Sequence, residues 1–293
     1  MRHLLSAVFF ALLLVLSLHC PGPALAASKT PDPFKSVKKR LIKDGFSQEK
    51  VDLYFKDGIR HFAVKGVSGY FMHNEAKLNY SRFLKPTPLA TGKNYLTNYA
   101  GPLSLAEKEY GVDKEIITSV LMVETALGGY IGNSRVFDIL STLASLSDPV
   151  AKERLWRQVP QEKRISRKRF DKKAKDKALW AYIELKSLLT YSAQINKAPG
   201  EFIGSYAGAM GIPQFMPSRI LQLGVDGDND GMVDLFTHED AIASVANYLR
   251  HFGWKPGIKK ERAIKVLMRY NHSTYYANTL YDIMEALKKE SAR

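Results

Sequence analysis

The segment GVDKEIITSVLMVETALGG, residues 111–129, predicts an α-helix that carries a carboxylate on its apolar face. Asp113 can cap the N-terminus of this helix with its side chain. Steps of three and four residues place Glu124 in line with the apolar positions. Those positions are Ile116, Ile117, Val120, Leu121 and Val123. The glycine pair at 128–129 ends the helix and opens space beside Glu124.

A carboxylate on an apolar face is typical of a general acid, although a structural role would also explain it. Burial disfavours the charged form and so raises the pKa, and a general acid needs a raised pKa to hold its proton near neutral pH. Alternatively, Glu124 is a structural residue satisfied by a backbone amide or by an arginine such as Arg135. The helix by itself leaves both interpretations open.

The rest of the chain predicts a mainly α-helical protein. Apolar residues recur at helical spacing from Phe34 to Phe55, and no run of alternating β-branched residues is long enough for a sheet. Three prolines and two glycines within residues 84–103 predict turns and short pieces there. Hydrophobic residues at 45% and charged residues at 25% exclude wholesale disorder.

Residues 1–26 predict a secretory signal peptide, with a basic start, an apolar run too short for a transmembrane helix, and small residues before the cleavage position. Cleavage after Ala26 would leave a linker at 27–33 and a chain without cysteine, which must fold without disulfides. Cys20 offers an alternative, a lipid anchor, although His19 stands where such signals carry a small residue. We therefore expect an exported, periplasmic protein.

The formal net charge of +14 indicates a partner of negative charge. An exported basic protein meets anionic polymers of the cell wall or the membrane surface, whereas no recognisable nucleic-acid-binding module is present. Much of the charge lies in a basic segment, residues 152–177. This segment is either a solvated helical face or mobile excursion, or an electrostatic contact with such a polymer.

A series of motifs follows in order along the chain. They are VET at 123–125, GNSRVFD at 132–138, STL at 141–143, GSYAGAMGIPQFMPS at 204–218, ANY at 246–248 and RYNHSTYYA at 269–277. In this order they resemble the membrane-bound lytic transglycosylase B family, glycoside hydrolase family 103. The resemblance covers most of the chain from about residue 34.

The resemblance implies a lysozyme-like helical core with an additional helical domain. We place an N-terminal helical region at residues 34–110 and the core at 111–293, with a basic helical excursion at 150–200. The implied substrate is the glycan strand of peptidoglycan. Such enzymes cleave the β-1,4 bond between N-acetylmuramic acid and N-acetylglucosamine and release a 1,6-anhydromuramoyl product. The family's catalytic acid lies in the VET motif, which here is Glu124, and we expect a monomer.

A single carboxylate suits this reaction, because the sugar supplies its own nucleophiles, whereas ordinary glycosidases need two carboxylates. Glu124 would protonate the glycosidic oxygen, and the 2-acetamido group would stabilise the cation. Glu124 would then take the proton of the C6 hydroxyl as the anhydro ring closes. No cofactor is required for this chemistry. A hydrolase of the lysozyme type would need a second carboxylate near Glu124, and a peptidoglycan-binding protein without turnover is a further alternative.

The resemblance also implies substrate-binding residues. Ser205 matches a serine that contacts the acetamido group, and Gln214 matches a saccharide-binding glutamine. The tyrosines that match residues of the cleft are Tyr80, Tyr248, Tyr270 and Tyr276. Tyrosine rings stack on sugars and their hydroxyls bond sugar oxygens, although a tyrosine taken by itself is more often a half-buried core aromatic. Asn271 could hold a cleft tyrosine or the substrate, or cap its loop.

The chain departs from the family pattern in three places. Ala126 and Leu127 stand where members carry Arg-Trp after VET. The pair at 149–150, Pro-Val, replaces a double arginine, for which Lys152 or Arg154 could substitute. The stretch between Trp254 and Arg269 is too short for the β insertion of the type member.

The loop DGDNDGMVD, residues 226–234, predicts a calcium site. Alternating oxygen ligands with glycine at the sixth position are typical of the EF-hand loop. The first ligands would be Asp226, Asp228 and Asp230, and the resemblance favours Asp240 and the Met232 carbonyl as further ligands. A plain aspartate-rich turn, with Asp240 serving the start of the next helix, is the alternative. Any calcium here would be structural.

Overall fold

Helices account for nearly all regular structure in the computed structural model, which describes residues 31–56, 60–72 and 79–291. They are α1 (Lys35–Lys43), α2 (Gln48–Tyr54), α3 (Val64–Met72), α4 (Pro86–Asn98), α5 (Ala100–Tyr110), α6 (Lys114–Thr125), α7 (Val136–Ser145), α8 (Pro149–Gln158), α9 (Arg167–Gln194), α10 (Pro217–Leu223), α11 (His238–His251), α12 (Lys260–Leu267) and α13 (Thr274–Ser291). The two strands are β1 (Ser134–Arg135) and β2 (Ile203–Gly204). The predicted signal peptide, Cys20 and most of the linker at 27–33 lie outside the described residues. In the part that is described, no helix is both long enough and apolar enough to cross a membrane.

Helix α6 lies at the centre of the core, which explains its apolar sequence. Helices α4, α5, α11 and α13 pack around it. The side chains of α6 without exposed surface include Ile116, Ile117, Val120 and Leu121. Gly111 separates α5 from α6 in the left-handed region, at φ 63°, where a residue without a Cβ is favoured.

The prediction that Asp113 caps α6 with its side chain is wrong. Its carboxylate instead accepts hydrogen bonds from Lys288 Nζ at 2.6 Å and from Trp254 Nε1 at 2.9 Å. Burial opposes ionisation, but these two donors outweigh it and hold the pKa of Asp113 below its usual value. Asp113 therefore ties the start of α6 to α13 and to the loop after α11.

The prediction of turns across residues 84–103 is also wrong, because this stretch forms α4 and the beginning of α5. Pro86 is the first residue of α4, where the missing N–H costs no hydrogen bond. Gly92 lies inside α4 because there is no room for a side chain: a Cβ would lie 2.6 Å from Met122 Sδ. Close packing of α4 on α6 therefore overrides the low helix propensity of glycine.

A second group of helices is built on α7, whose residues are all buried. Helix α9 packs along α7, and α1 and α3 cover other parts of it. The basic segment 152–177 is helical in α8 and the first part of α9. The guanidinium groups of Arg164 and Arg167 lie 5.1 and 5.2 Å from the centre of the Trp156 ring, and Glu153 pairs with Arg167 at 2.8 Å.

The only sheet among the described residues is the antiparallel pair β1–β2, so the mainly α prediction without a sizeable β insertion is confirmed there. Ser134 lies opposite Gly204. Gly132, at φ 97°, approaches β2 so closely that a Cβ would lie 2.1 Å from the Gly204 oxygen. This approach holds the loop after α6 against the segment that begins at residue 203.

Candidate active site

Glu124 lies at the C-terminal end of α6, where the helix changes direction. Its side chain is half-buried. Thr125 ends the helix, and the two residues after it, Ala126 and Leu127, occupy the left-handed region at φ 51° and 60°. Two successive non-glycine residues in this region are unusual and are often found at functional sites. The turn therefore exposes the carboxylate at the end of a rigid helix.

Thr125 fixes this turn to the GSYAGAMGIPQFMPS segment. Its hydroxyl donates to the Ile212 carbonyl at 2.8 Å and accepts a hydrogen bond from the Gly128 N–H at 3.0 Å. Thr125 is 2% exposed. The residue pattern alone does not predict this role for Thr125, although its position directly after Glu124 in the VET motif is a signal for it.

Tyr276, on α13, contacts the candidate acid directly. Its hydroxyl donates a hydrogen bond to Glu124 Oε1 at 2.5 Å, and the side chain is only 1% exposed. Burial and the negative charge of Glu124 raise the pKa of Tyr276 well above its usual value, so the hydroxyl remains a donor. Tyr80 packs edge-on against the Tyr276 ring, with ring centres 5.8 Å apart.

Tyr248 and Tyr270 form an aromatic cluster beside this pair. Their rings lie 4.8 Å apart, and both also pack on Phe215. The Tyr270 hydroxyl donates to the Pro213 carbonyl, and the Tyr248 hydroxyl to the Arg269 carbonyl, both at 2.5 Å. Burial raises the pKa of Tyr248 to about 12. In the structure these two hydroxyls therefore hold backbone in place around Glu124.

The charge of Glu124 acts on two tyrosines of the site. Burial first, and then the charge of Glu124, raises the pKa of both Tyr270 and Tyr276. Arg135, the suggested structural partner of Glu124, instead lies 3.5 Å from Asp138 and donates to the Gly200 carbonyl.

Ser205 and Gln214 lie on the same segment that Thr125 binds. The Ser205 hydroxyl accepts hydrogen bonds from the backbone N–H groups of residues 207 and 209, at 3.2 and 3.1 Å. Gln214 is in the left-handed region at φ 54°, and its amide donates to the carbonyls of Gly211 and Ile131 at 2.9 and 3.2 Å. Asn271 follows Tyr270 in the loop before α13 and is half-buried.

The cations suggested as substitutes for the missing double arginine have other partners. Lys152 pairs with Asp171 at 3.2 Å. The guanidinium of Arg154 lies 4.9 Å from the centre of the Phe62 ring. Both side chains therefore take part in the packing of α8 on its neighbours.

The aspartate loop brings together three of the predicted metal ligands. Single carboxylate oxygens of Asp226, Asp228 and Asp240 lie within 4.8 Å of one another. Asp240 is 1% exposed and accepts hydrogen bonds from the N–H groups of Gly227 and Asp234, at 2.7 and 2.5 Å. Burial, then the charges of Asp228 and Asp226, raise the pKa of Asp240. Three carboxylates in this arrangement fit a hard cation such as Ca²⁺.

The other two predicted ligands are placed differently. The Asp230 carboxylate lies outside this cluster and accepts a hydrogen bond from the Met232 N–H at 2.8 Å. The Asp226 carboxylate also accepts a hydrogen bond from Gly231 at 2.8 Å, as in an aspartate-rich turn. Ligation by Asp230 and by the Met232 carbonyl stays a prediction.

Comparison with known proteins places these features in a family. Residues 30–265 match the family described as Transglycosylase SLT domain. Membrane-bound lytic murein transglycosylase B of Escherichia coli (strain K12) is 32% identical over 244 residues, which cover 78% of this chain and 59% of that protein.

Solved structures show the same fold. The soluble lytic transglycosylase SltB1 from Pseudomonas aeruginosa superposes with a TM-score of 0.73 at 24% identity, over 89% of this chain and 100% of that chain. Escherichia coli Slt35 in complex with calcium gives 0.69 at 24%, over 90% and 95%. SltB3 from Pseudomonas aeruginosa in complex with NAG-NAM-pentapeptide gives 0.68 at 20%, over 87% and 78%. The predicted lysozyme-like helical fold is confirmed.

Proposed function

We propose that this chain, which belongs to the transglycosylase SLT domain family, is a lytic murein transglycosylase that acts on the glycan strands of peptidoglycan. The observation that carries the proposal is the hydrogen bond from Tyr276 to Glu124 at the end of α6. In this arrangement the Glu124 carboxylate accepts a hydrogen bond from a tyrosine hydroxyl that does not ionise. The turn after α6 leaves this carboxylate half-exposed. The 32% identical murein transglycosylase supports the substrate class.

The proposed mechanism uses Glu124 twice. Protonated Glu124 gives its proton to the glycosidic oxygen as the bond to C1 of N-acetylmuramic acid breaks. The Tyr276 hydroxyl stabilises the carboxylate that this transfer creates. The carboxylate then removes the proton of the C6 hydroxyl, whose oxygen bonds to C1 and closes the 1,6-anhydro ring. No water enters the product, and Glu124 is again protonated.

The remaining site residues divide into two proposed roles. Ser205 and Gln214, both half-exposed, would bind the sugar, with Ser205 directed to the acetamido group. Tyr270, Asn271 and Tyr80 would line the cleft. Tyr248 and Tyr276 are only 4% and 1% exposed, too little to stack on a sugar face. We therefore assign Tyr248 to positioning the wall of the cleft and Tyr276 to positioning Glu124.

We also propose that residues 34–110 are the N-terminal helical region and residues 111–293 the catalytic core.

We propose that the aspartate loop binds a structural Ca²⁺. The ligands would be Asp226, Asp228 and Asp240, joined by Asp230 and the Met232 carbonyl. A structural cation would neutralise the acidic loop and brace it between the segment of Gln214 and the helix of Tyr248. The cation supplies no chemistry to the reaction.

The biological setting follows from the substrate. We propose an exported, periplasmic monomer that associates with the cell wall or the membrane surface through its basic face. The free cations of α9, such as Lys168 and Lys172, are exposed and would make this contact. Salt would weaken such a contact, because exposed charges are screened.

Mass spectrometry of the products from purified peptidoglycan tests the proposed reaction. We expect muropeptides one water lighter than reducing ones, and Glu124→Gln should bind strands without cleaving them. Reducing ends would show a hydrolase instead. Binding without any products in the unaltered protein would show a non-enzymatic peptidoglycan-binding protein, and cleavage by Glu124→Gln at the wild-type rate would refute the site.

A further inference from the structure

His238, the first residue of α11, lies against the turn that follows Glu124 and has no role in the mechanism above. Gly128 belongs to that turn, and its φ of 86° is left-handed. A Cβ placed on Gly128 would lie 3.4 Å from His238 Cε1 and 3.5 Å from Ile212 Cδ1. The imidazole and Ile212 are therefore the side chains that confine the turn at this glycine.

The turn of residues 126–129 keeps the last turn of α6 closed. Ala126 and Leu127 donate their backbone N–H groups to carbonyls of the helix, at 3.1 and 2.9 Å. Glu124 lies in the helical turn that these two bonds close, so its position at the helix end depends on them. A left-handed backbone at two non-glycine residues costs free energy and persists only where neighbouring groups hold it.

Two tyrosines fix the orientation of the imidazole. The Tyr95 hydroxyl shares a hydrogen bond with His238 Nδ1 at 3.0 Å, and the Tyr95 side chain is 5% exposed. The Tyr99 ring covers the imidazole, with ring centres 4.4 Å apart and an angle of 33° between the planes. Contacts from α4 and from the junction of α4 with α5 therefore keep the imidazole in place against the turn.

The chain just before His238 is joined to the end of α6 by a second route. The Leu235 carbonyl accepts a hydrogen bond from the Ile212 N–H at 2.8 Å. The Ile212 carbonyl in turn accepts the hydrogen bond of the Thr125 hydroxyl. This route runs through backbone groups, whereas the imidazole contact can be removed by a substitution that leaves the backbone bonds intact.

We propose that His238 is a positioning residue for Glu124, because its imidazole holds the turn 126–129 and the turn holds the end of α6. The proposal rests on the proposed function, since it takes Glu124 as the acid. His238 acts through the turn and is therefore not a catalytic residue. A displacement of about 1 Å at a reacting group can cost about 100-fold in rate, so even a partial loosening of the turn should lower kcat.

The kinetic experiment compares two substitutions of His238 with a control, on purified peptidoglycan. His238→Ala removes the ring from the turn, whereas His238→Phe keeps a ring there and loses only the hydrogen bond to Tyr95. The control is Tyr182→Ala in α9, where Tyr182 is 1% exposed and donates to Asp44 at 3.0 Å. Melting temperatures place the three variants on one scale of stability.

We expect His238→Ala to lose about tenfold in kcat, with KM within about twofold of the wild type. His238→Phe should lose no more than about threefold, and Tyr182→Ala should keep its kcat at temperatures below its melting transition. An unchanged kcat in His238→Ala, with or without a change in KM, would overturn the proposal. Losses of kcat that follow the melting temperature across all three variants would also overturn it, because they would show a purely structural role.

Hydrogen exchange tests the contact without any reaction. The backbone N–H groups of residues 126–130 all donate hydrogen bonds, and mass spectrometry of the digested protein follows their exchange. We expect about tenfold faster exchange of these amides in His238→Ala and wild-type rates in Tyr182→Ala. This result would support the role of His238 even if the protein cleaved no peptidoglycan, whereas wild-type protection of the turn in His238→Ala would overturn it.

Discussion

Removing the Tyr276 hydroxyl should slow peptidoglycan cleavage about 10- to 150-fold. Tyr276→Phe deletes the donor 2.5 Å from Glu124 Oε1 and keeps the ring that packs against Tyr80. A hydrogen bond to a charged group contributes about 1.5–3 kcal/mol, and each 1.36 kcal/mol changes a rate tenfold. The loss is expected in kcat, because the charge on Glu124 develops only when its proton is transferred.

The same substitution should move the pH profile in a defined direction. A hydrogen bond donated to a carboxylate favours the ionised form. Without it Glu124 keeps its proton to higher pH, so the alkaline limb of the pH–rate profile should shift upward while the maximal rate falls. Release of soluble muropeptides, followed by chromatography and mass spectrometry at a series of pH values, measures both effects.

A matched control separates chemistry from stability. Tyr191 is also 1% exposed, and its hydroxyl donates to the Val233 carbonyl at 2.7 Å, away from Glu124. Tyr191→Phe should lower the melting temperature by an amount similar to Tyr276→Phe but leave the pH profile unchanged. Cleavage by Tyr276→Phe within about twofold of the wild-type rate, with an unshifted alkaline limb, would refute this role of the Tyr276 hydroxyl.

Three further predictions concern stability. Gly132→Ala should lower the free energy of unfolding by about 2–5 kcal/mol, because its φ is 97° and its Cβ would meet a backbone oxygen at 2.1 Å. Gly101→Ala, in α5 with no atom within 4 Å, should not destabilise the protein in the same thermal melts. Lys288→Met should cost about 1 kcal/mol at neutral pH. The pKa of Asp113 is depressed from its usual 3.8, so the difference in unfolding free energy between the wild type and Lys288→Met should persist above pH 3.8. It should vanish as acid protonates Asp113, and urea titrations at several pH values would show this. Calcium at about 100 times its Kd should stabilise the fold by about 2.7 kcal/mol in calorimetry, and Asp226→Asn should abolish most of this gain.

The helical class and the position of the candidate acid could be predicted because they depend on local pattern. Apolar residues at steps of three and four define α6 and place Glu124 at its end whatever surrounds the helix. Residues 84–103 could not be predicted in the same way. Their prolines and glycines indicate turns locally, but Pro86 is harmless in the first turn of α4 and Gly92 is needed against Met122.

The roles of polar side chains depended on partners far away in the chain. Asp113 satisfies every local rule for a helix cap, but Lys288 and Trp254 offer it a cation and an indole N–H. A charged donor binds a carboxylate more strongly than a neutral backbone N–H does, so the distant partners prevail. No periodicity in the segment 111–129 contains that information.

The sequence by itself determined the elements and the chemistry available to this protein: a mainly α-helical chain, a carboxylate on an apolar helix, an aspartate loop and a set of tyrosines. Only the tertiary structure decided how these groups are used. It turned the Tyr276 hydroxyl toward Glu124, 152 residues away, and buried that tyrosine as a positioning residue. The physical reason is that helix formation follows from neighbouring residues, whereas burial and hydrogen bonding depend on which surfaces the packing of distant helices brings into contact.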